Sequence, residues 1–538
     1  MDDQGVIPSA FVPRPLKIVV IGAGISGIQF AHEVTTRMSN IELEIYDKNP
    51  KVGGTWYENR YPGCACDVPA HTYQYSWAPN PSWSRAYAPA REIHAYLESV
   101  VDNHNLRKFV RLNHLCVSAI WNEESSRWTT TFRDKSFGTE IVVQSDILIY
   151  AVGRLNDFQI PPFEGRDKFK GRVVHTATWP KDLDIWGKRV AVLGNGASGI
   201  QCVAGIQGEA GEVLNFAPRP TWLGPAAFIE NCEYDEQEKL HFQRNPQAYY
   251  NFRVGIEKAI SPAFAMLWKD TPMSRTLRSR AKLYMECRVE DPELQQKLIP
   301  DYTPGCRRWA PGEKYIAAVQ KPHVHLIEAH VVALTENGIR TGEGDRYECD
   351  VVVCATGFRL YSPQVSVIGR NGITLSDCWG SAGPCESYMA AMVAQFPNFF
   401  AFHPPNCPVN GSAYPGIERT ADFIVRVIHR LQIDRLRSVS VRPEAQRGFN
   451  KWVQSQMSSM VWADSCNSWY KNKYGKIIVP WPGTTNHYYA ATEIIRWEDF
   501  DLVFADPTQR YMSFGNGVTR DGFSPGSIPW LQPPKCLN

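Results

Sequence analysis

Leu16-Lys17-Ile18-Val19-Val20-Ile21-Gly22-Ala23-Gly24-Ile25-Ser26-Gly27 decides the fold class of this chain. The β-branched run from Leu16 to Ile21, bounded by Pro15 and Gly22, reads as a buried parallel strand. Glycines follow at GxGxxG spacing, and Ile25, Ile28, Gln29, Ala31 and Val34 continue at helical spacing. Gly22 suits a tight turn, Gly24 lets a pyrophosphate approach the backbone, and Gly27 lets the helix pack on the strand. The phosphates would sit on free N–H groups at the helix N-terminus. A second strand, Ile41 to Tyr46, ends in Asp47, twenty residues after Gly27. That carboxylate suits a ribose hydroxyl and repels a 2′-phosphate.

The pattern recurs. Arg189 to Leu193 reads as a strand running into Gly194-Asn195-Gly196-Ala197-Ser198-Gly199, with Ile200, Val203 and Ile206 behind it. Its second strand, Val213 to Phe216, leads to Arg219, which stands where the first unit has an acid. A guanidinium matches a phosphate as a bidentate donor, so this unit selects NADPH over NADH. One site avoids a 2′-phosphate and the other favours it. FAD in the first and NADPH in the second is the natural assignment, and a chain with both reads as a flavoprotein reduced by NADPH. The expected fold is α/β, with two nested Rossmann-like dinucleotide-binding domains and a helical insertion.

Composition narrows the alternatives. A chain of 538 residues is too long for one ordinary core. Lys plus Arg is 57 against 55 for Asp plus Glu, so the net +2 gives no electrostatic reason to expect nucleic acid or an anionic membrane. No apolar run reaches the ~18 residues of a spanning helix, and Met1 to Gly5 does not open a secretory signal. The expected location is therefore cytoplasmic. Fourteen cysteines without a CxxC are too sparse for a disulfide scaffold and do not suggest a zinc ribbon or a thioredoxin-type pair. No metal site is expected.

Two nested dinucleotide units do not fix a reaction. The next motifs are more specific: Gly53-Gly54-Thr55-Trp56-Tyr57-Glu58-Asn59-Arg60-Tyr61-Pro62-Gly63, then Cys66-Asp67-Val68-Pro69. Between the two glycine fingerprints lies Phe169-Lys170-Gly171-Arg172-Val173-Val174-His175-Thr176-Ala177-Thr178-Trp179-Pro180, an FxGxxxHxxxWP pattern. Together these resemble the class B flavin monooxygenases, and the full form with Trp179-Pro180 is similar to the Baeyer–Villiger monooxygenases. The resemblance runs from about Leu16 to beyond Trp469.

The resemblance implies roles for particular residues. Gly54, Thr55 and Trp56 would lie at the flavin cofactor. His175 and Trp179 would handle NADP in the linker, outside bond-making. Arg308 in Gly305-Cys306-Arg307-Arg308 would sit over the flavin, Arg307 would help bind the NADPH phosphate, and Asp67 would orient Arg308. Trp469 in Ser468-Trp469-Tyr470 would belong to a mobile loop reaching the nicotinamide side. The implied chemistry is attack of a flavin C4a-peroxide on a ketone, and its anions in a water-poor cavity call for a fixed cation. Without the resemblance, Arg307-Arg308 would read as a surface basic patch and Asp67 as a turn acid.

Four stretches after Asn231 read as helices of the insertion: Tyr234 to Gln243, Phe252 to Lys258, Ser274 to Tyr284 and Pro292 to Leu298. The division is then 1–158 for the first part of the FAD domain, 159–228 for the first part of the NADPH domain, 229–302 for the insertion, 303–360 for the second part of the NADPH domain, and 361–538 for the rest of the FAD domain and a tail. Phe399 to Phe402 should be a strand running into a flavin-contacting turn at Asn406, with Pro404 where the family has glycine. The tail from Ser524 to Asn538 reads as a loop. The leading reading is an NADPH-, O2- and FAD-dependent monooxygenase acting on a small-molecule ketone, with no nucleic-acid or membrane partner. Alternatives are an N- or S-oxygenating flavin monooxygenase, an NADPH-dependent flavin reductase and a non-catalytic NADPH sensor.

Overall fold

The computed structural model describes residues 9–225 and 229–519. Met1 to Gly5 and the Ser524 to Asn538 tail lie outside the described residues. Two five-stranded, all-parallel sheets organise the molecule. The first runs, in spatial order, Phe399–Ala401, Ile147–Tyr150, Leu16–Ile21, Ile41–Tyr46 and Val110–Arg111. The second runs Val324–Ile327, Glu212–Phe216, Arg189–Leu193, Val351–Cys354 and Arg172–His175. In each, the strand entering the glycine turn is central. Both faces of such a strand are covered, which is why its sequence is a continuous β-branched run; Ile18, Val19, Val20, Val190, Ala191 and Val192 are all fully buried.

The third glycine of each fingerprint is required by space. A Cβ on Gly27 would lie 2.0 Å from the Gly22 carbonyl oxygen, and one on Gly199 would lie 2.2 Å from that of Gly194. The first glycine is required by conformation: Gly22 and Gly194 take φ of 107° and 109°, which a side chain rarely tolerates. Helices Ile25–Arg37 and Ala197–Ile206 then rise from these turns.

Beyond the two sheets, an antiparallel run of His114–Asn122, Arg127–Asp134 and Glu140–Ser145, with Ser366–Ile368 alongside His114–Asn122, flanks the first sheet. The insertion holds helices Glu236–Arg244, Pro246–Ile260, Pro272–Glu286 and Pro292–Leu298. Two of them begin earlier than the sequence reading placed them, at Pro246 rather than Phe252 and at Pro272 rather than Ser274. Proline is favoured in a first helical turn, where its missing N–H has no partner to lose. Among the described residues, no helix is long and apolar enough to cross a membrane, and no group of three or more His, Cys, Asp or Glu could hold a metal ion.

Candidate active site

Gly24 and Gly54 face each other across the first cradle; a Cβ on Gly54 would sit 3.1 Å from the Gly24 Cα. Asp47 is buried beside this turn. Its Oδ2 accepts from the Ala23 N–H at 2.7 Å and its Oδ1 from the Asn49 N–H at 2.8 Å. Burial raises its pKa, with both backbone bonds opposing. The function of Asp47 visible here is to fix the glycine turn; each oxygen keeps a lone pair for a ribose hydroxyl. Trp56 is buried on the short helix Thr55–Glu58 and its Nε1 donates to the Tyr73 hydroxyl at 3.3 Å, while Thr55 is exposed.

The second cradle is open. A Cβ on Gly196 would meet no atom within 4 Å, so the backbone there is free for close approach by a ligand. Ser198 is half-buried in the first turn of the following helix. Arg219 is exposed, and its backbone carbonyl accepts from Asn195 Nδ2 at 2.8 Å, which pins its loop to the glycine turn. Arg307 Nη1 donates to the Pro220 carbonyl at 3.1 Å. Arg307, distant in sequence, is thus tied to the loop that carries Arg219 beside the second cradle. The Tyr57-to-Gly63 motif joins the two units: Tyr61 donates to Gln201 Oε1 at 2.7 Å, and Gln201 Nε2 donates to the Ala65 carbonyl at 3.0 Å.

Between the cradles, Asp67 and Arg308 form a two-bond ion pair across 241 residues of sequence. Arg308 Nη2 donates to Asp67 Oδ1 at 2.8 Å and Arg308 Nε donates to Oδ2. The pair is enclosed but not sealed, with side-chain exposures of 32% and 22%. Burial disfavours the Asp67 carboxylate, but the charge and hydrogen bonds of Arg308 outweigh it and hold its pKa below the usual range. The Coulombic pull of Asp67, opposed by burial, raises the pKa of Arg308, so the guanidinium stays charged. The pair that would read as a surface patch and a turn acid is one site.

The loop after Val461–Ala463 closes over this pair. Asp464 Oδ2 accepts from the Thr303 N–H at 2.7 Å, and a disulfide joins Cys306 to Cys466 across 160 residues. It therefore tethers the Arg307-Arg308 segment to the loop bearing Trp469 and Tyr470. Tyr470 is buried, with Arg308 and Arg154 both acting on its hydroxyl, and Trp469 is half-buried against it at 4.5 Å between ring centroids.

His175 is fully buried where the two connections between the sheets cross. Its ring stacks on Phe158 at 4.8 Å and meets Phe358 edge-on, and Phe158 and Phe358 are themselves bridged. Nδ1 accepts from the Ala177 N–H at 3.1 Å, and burial lowers its pKa to about 4, so the ring is neutral near pH 7. Trp179 is half-buried against the core of the second sheet. At the Phe399–Ala401 turn, the left-handed conformation falls on His403 (φ 55°) and Asn406 (φ 65°), so Pro404 is not asked to adopt it. Asn406 is buried, its Nδ2 donates to Asn450 at 2.8 Å, and its Oδ1 has no partner.

Sequence reasoning missed two features. The Cys306–Cys466 disulfide has no local spacing signal, because its partners meet only through the fold. Arg154 follows Gly153 just after the strand Ile147–Tyr150 and also lies against this site, where its guanidinium stands 5.5 Å from the Trp469 ring.

Two dinucleotide cradles around one enclosed arginine–aspartate pair are the build of a two-cofactor oxidoreductase. Residues 20–89 match the NAD(P)-binding Rossmann-like domain family. The FAD-binding monooxygenase moxY of Dothistroma septosporum is 36% identical over 502 residues, which span 91% of this chain and 80% of that protein. A Baeyer-Villiger monooxygenase of Streptomyces coelicolor is 32% identical over 506 residues, 93% of this chain and 95% of that one. Cyclohexanone monooxygenase from Rhodococcus sp. Phi1, solved bound to NADP+, aligns with a TM-score of 0.80 at 26% identity, covering 92% of this chain and 100% of that one. The chain belongs to the family of FAD-binding monooxygenases that includes the Baeyer–Villiger monooxygenases.

Proposed function

We propose that this protein is an NADPH- and O2-dependent flavoprotein monooxygenase that inserts one oxygen atom beside a ketone carbonyl, giving an ester or lactone. The carrying observation is the enclosed Arg308, held by Asp67 through two hydrogen bonds. FAD would be held by Gly22, Gly24, Gly27, Asp47, Gly54, Thr55 and Trp56, and NADPH by Gly194, Gly196, Ser198, Gly199, Arg219 and Arg307. Bound FAD, once reduced by NADPH, supplies the activation of O2. The 1–158, 159–228, 229–302, 303–360 and 361–538 division remains the proposed domain plan.

Arg308 is the catalytic residue of this reading. It offers a permanent positive charge to negative charge developing on oxygen, and it resists giving up a proton. Asp67 is a positioning residue that fixes the guanidinium plane. Tyr470 stays protonated, since burial raises its hydroxyl pKa, and its loop limits water entry. His175, Trp179 and Trp469 would serve cofactor handling, with His175 fixing the crossing of the two connections. The test is stoichiometric: NADPH consumed, O2 consumed and ester formed should match one to one with a ketone panel. Sulfoxide or N-oxide formation without any ester would assign the protein to the heteroatom-oxygenating relatives instead. NADPH oxidation without any oxygenated product would make it a reductase.

A further inference from the structure

Arg154 is a second cation in the same site, and its surroundings differ from those of Arg308. Arg308 is paired with Asp67, which offsets part of its charge. Among the described residues, no carboxylate lies within ion-pair distance of Arg154. Its Nη1 donates to Cys407 Sγ, and its guanidinium lies over the Trp469 ring at 5.5 Å.

Apart from the Arg308 cation, which repels it, the groups around it are neutral. Burial, opposed by Arg154, raises the pKa of the Cys407 thiol, and the thiol itself points to the Val479 carbonyl at 3.7 Å. The hydroxyl of buried Tyr361 donates to the Pro404 carbonyl at 3.2 Å. Burial first, and Arg154 second, lower the pKa of His403 to about 3, and its buried Nδ1 has no hydrogen-bond partner. Arg154 is half-buried, and a guanidinium partly withdrawn from water without a counter-charge is costly unless a ligand brings one. In the proposed assignment the NADPH phosphate is served by Arg219 and Arg307, and the FAD pyrophosphate by the free N–H groups of the first glycine turn. The charge that Arg154 lacks must come from elsewhere.

We infer that Arg154 recognises an anionic oxygen on the substrate, a carboxylate or an ionised phenol carried apart from the ketone that Arg308 serves. The inference rests on the ketone-oxygenating reading of this site and names the class of ketone it takes: one with an acidic group. A planar five-donor cation is the side chain best matched to such a group, bidentately if the group is a carboxylate.

The experiment compares para-acetylbenzoate with para-nitroacetophenone, whose neutral nitro group has the planar two-oxygen shape of the carboxylate, so the two differ chiefly in charge. Dissociation constants are read from the flavin absorbance of the oxidised, NADP+-bound holoenzyme, so no turnover is needed. The expected result is binding of the carboxylate at least about tenfold tighter in the wild type, a ratio that collapses towards one in Arg154→Leu and partly returns in Arg154→Lys. Equal affinity in the wild type overturns the inference, whatever the variants do. So does a carboxylate preference that survives in folded, flavin-loaded Arg154→Leu while that variant's flavin midpoint potential falls, because the cation then serves the reduced flavin. Preferential binding without oxygenated product would support this inference and sink the ketone reading. Turnover of both ketones with no preference would do the reverse.

Discussion

Replacing Arg308 by alanine should separate NADPH consumption from oxygen transfer. The structure sets the scale. A full charge about 4 Å from an oxyanion, at the effective dielectric of about 20 that suits partly enclosed sites, is worth about 4 kcal/mol. Arg308 keeps about a third of its side chain accessible, and Asp67 bonds it at 2.8 Å, so part of its field is already offset. About 3 kcal/mol remains, the scale of losing one oxyanion-hole donor, and corresponds to a fall of roughly a hundredfold in oxygenation. Removing Arg308 also strands Asp67, whose carboxylate would lose its opposing charge and be left to burial alone, so Arg308→Lys is the companion that keeps a charge there. NADPH oxidation, hydrogen peroxide and ester should be followed together on flavin-loaded protein. NADPH loss should persist with peroxide replacing ester in Arg308→Ala, with an intermediate result for Arg308→Lys. Full ester yield from a folded, flavin-loaded Arg308→Ala would refute the reasoning.

Three further outcomes follow from the same geometry. Arg219→Ala should raise the NADPH requirement by on the order of a hundredfold, the worth of a charge-assisted hydrogen bond, while leaving NADH almost unaffected; steady-state kinetics with both coenzymes decide, and an unchanged preference refutes the phosphate assignment. Breaking the Cys306–Cys466 bridge with Cys466→Ser should lower stability, by up to about 5 kcal/mol on the chain-entropy scale for so long a loop. A thermal melt of the oxidised protein with and without dithiol reductant should show the same loss, and alkylation of both thiols in unreduced, denatured protein would show that the bridge is absent. Third, His71 is buried among the rings of Tyr234, Phe242, Tyr249 and Phe252, and burial lowers its pKa to about 3, so unfolding takes up a proton as the pH falls below the ordinary histidine value of 6.5. Its contribution is fully present above that value and is lost progressively as pH drops towards about 3. The melting temperature should therefore fall between about pH 7 and about pH 5, and His71→Phe should flatten that slope; an equal slope in both proteins would contradict the assignment.

Much of the fold was legible because its deciding features are local. A β-branched run ending in spaced glycines needs only a dozen residues to declare itself, and Leu16–Ile21 and Arg189–Leu193 begin and end where the sequence places them. The antiparallel strands from His114 to Ser145 carry no such signature. Threonines and charged residues alternate there with the buried positions, and only the sheet shows which side each faces. The site was legible only through resemblance. Asp67 and Arg308 stand 241 residues apart, so nothing near either one marks it as the other's partner. Arg154 is still further from reach, because what marks it is the lack, among the described residues, of a carboxylate partner where Tyr361, His403, Cys407 and Trp469 come together.

The central claim is that molecular oxygen is split between substrate and water at the expense of NADPH. The most direct measurement is turnover of a responding ketone under isotopically labelled O2, with mass analysis of the ester or lactone. The account requires one labelled atom in the ring or chain oxygen of the product, none in the carbonyl, and one NADPH used per product. Unlabelled product, or label released only as hydrogen peroxide, would contradict it.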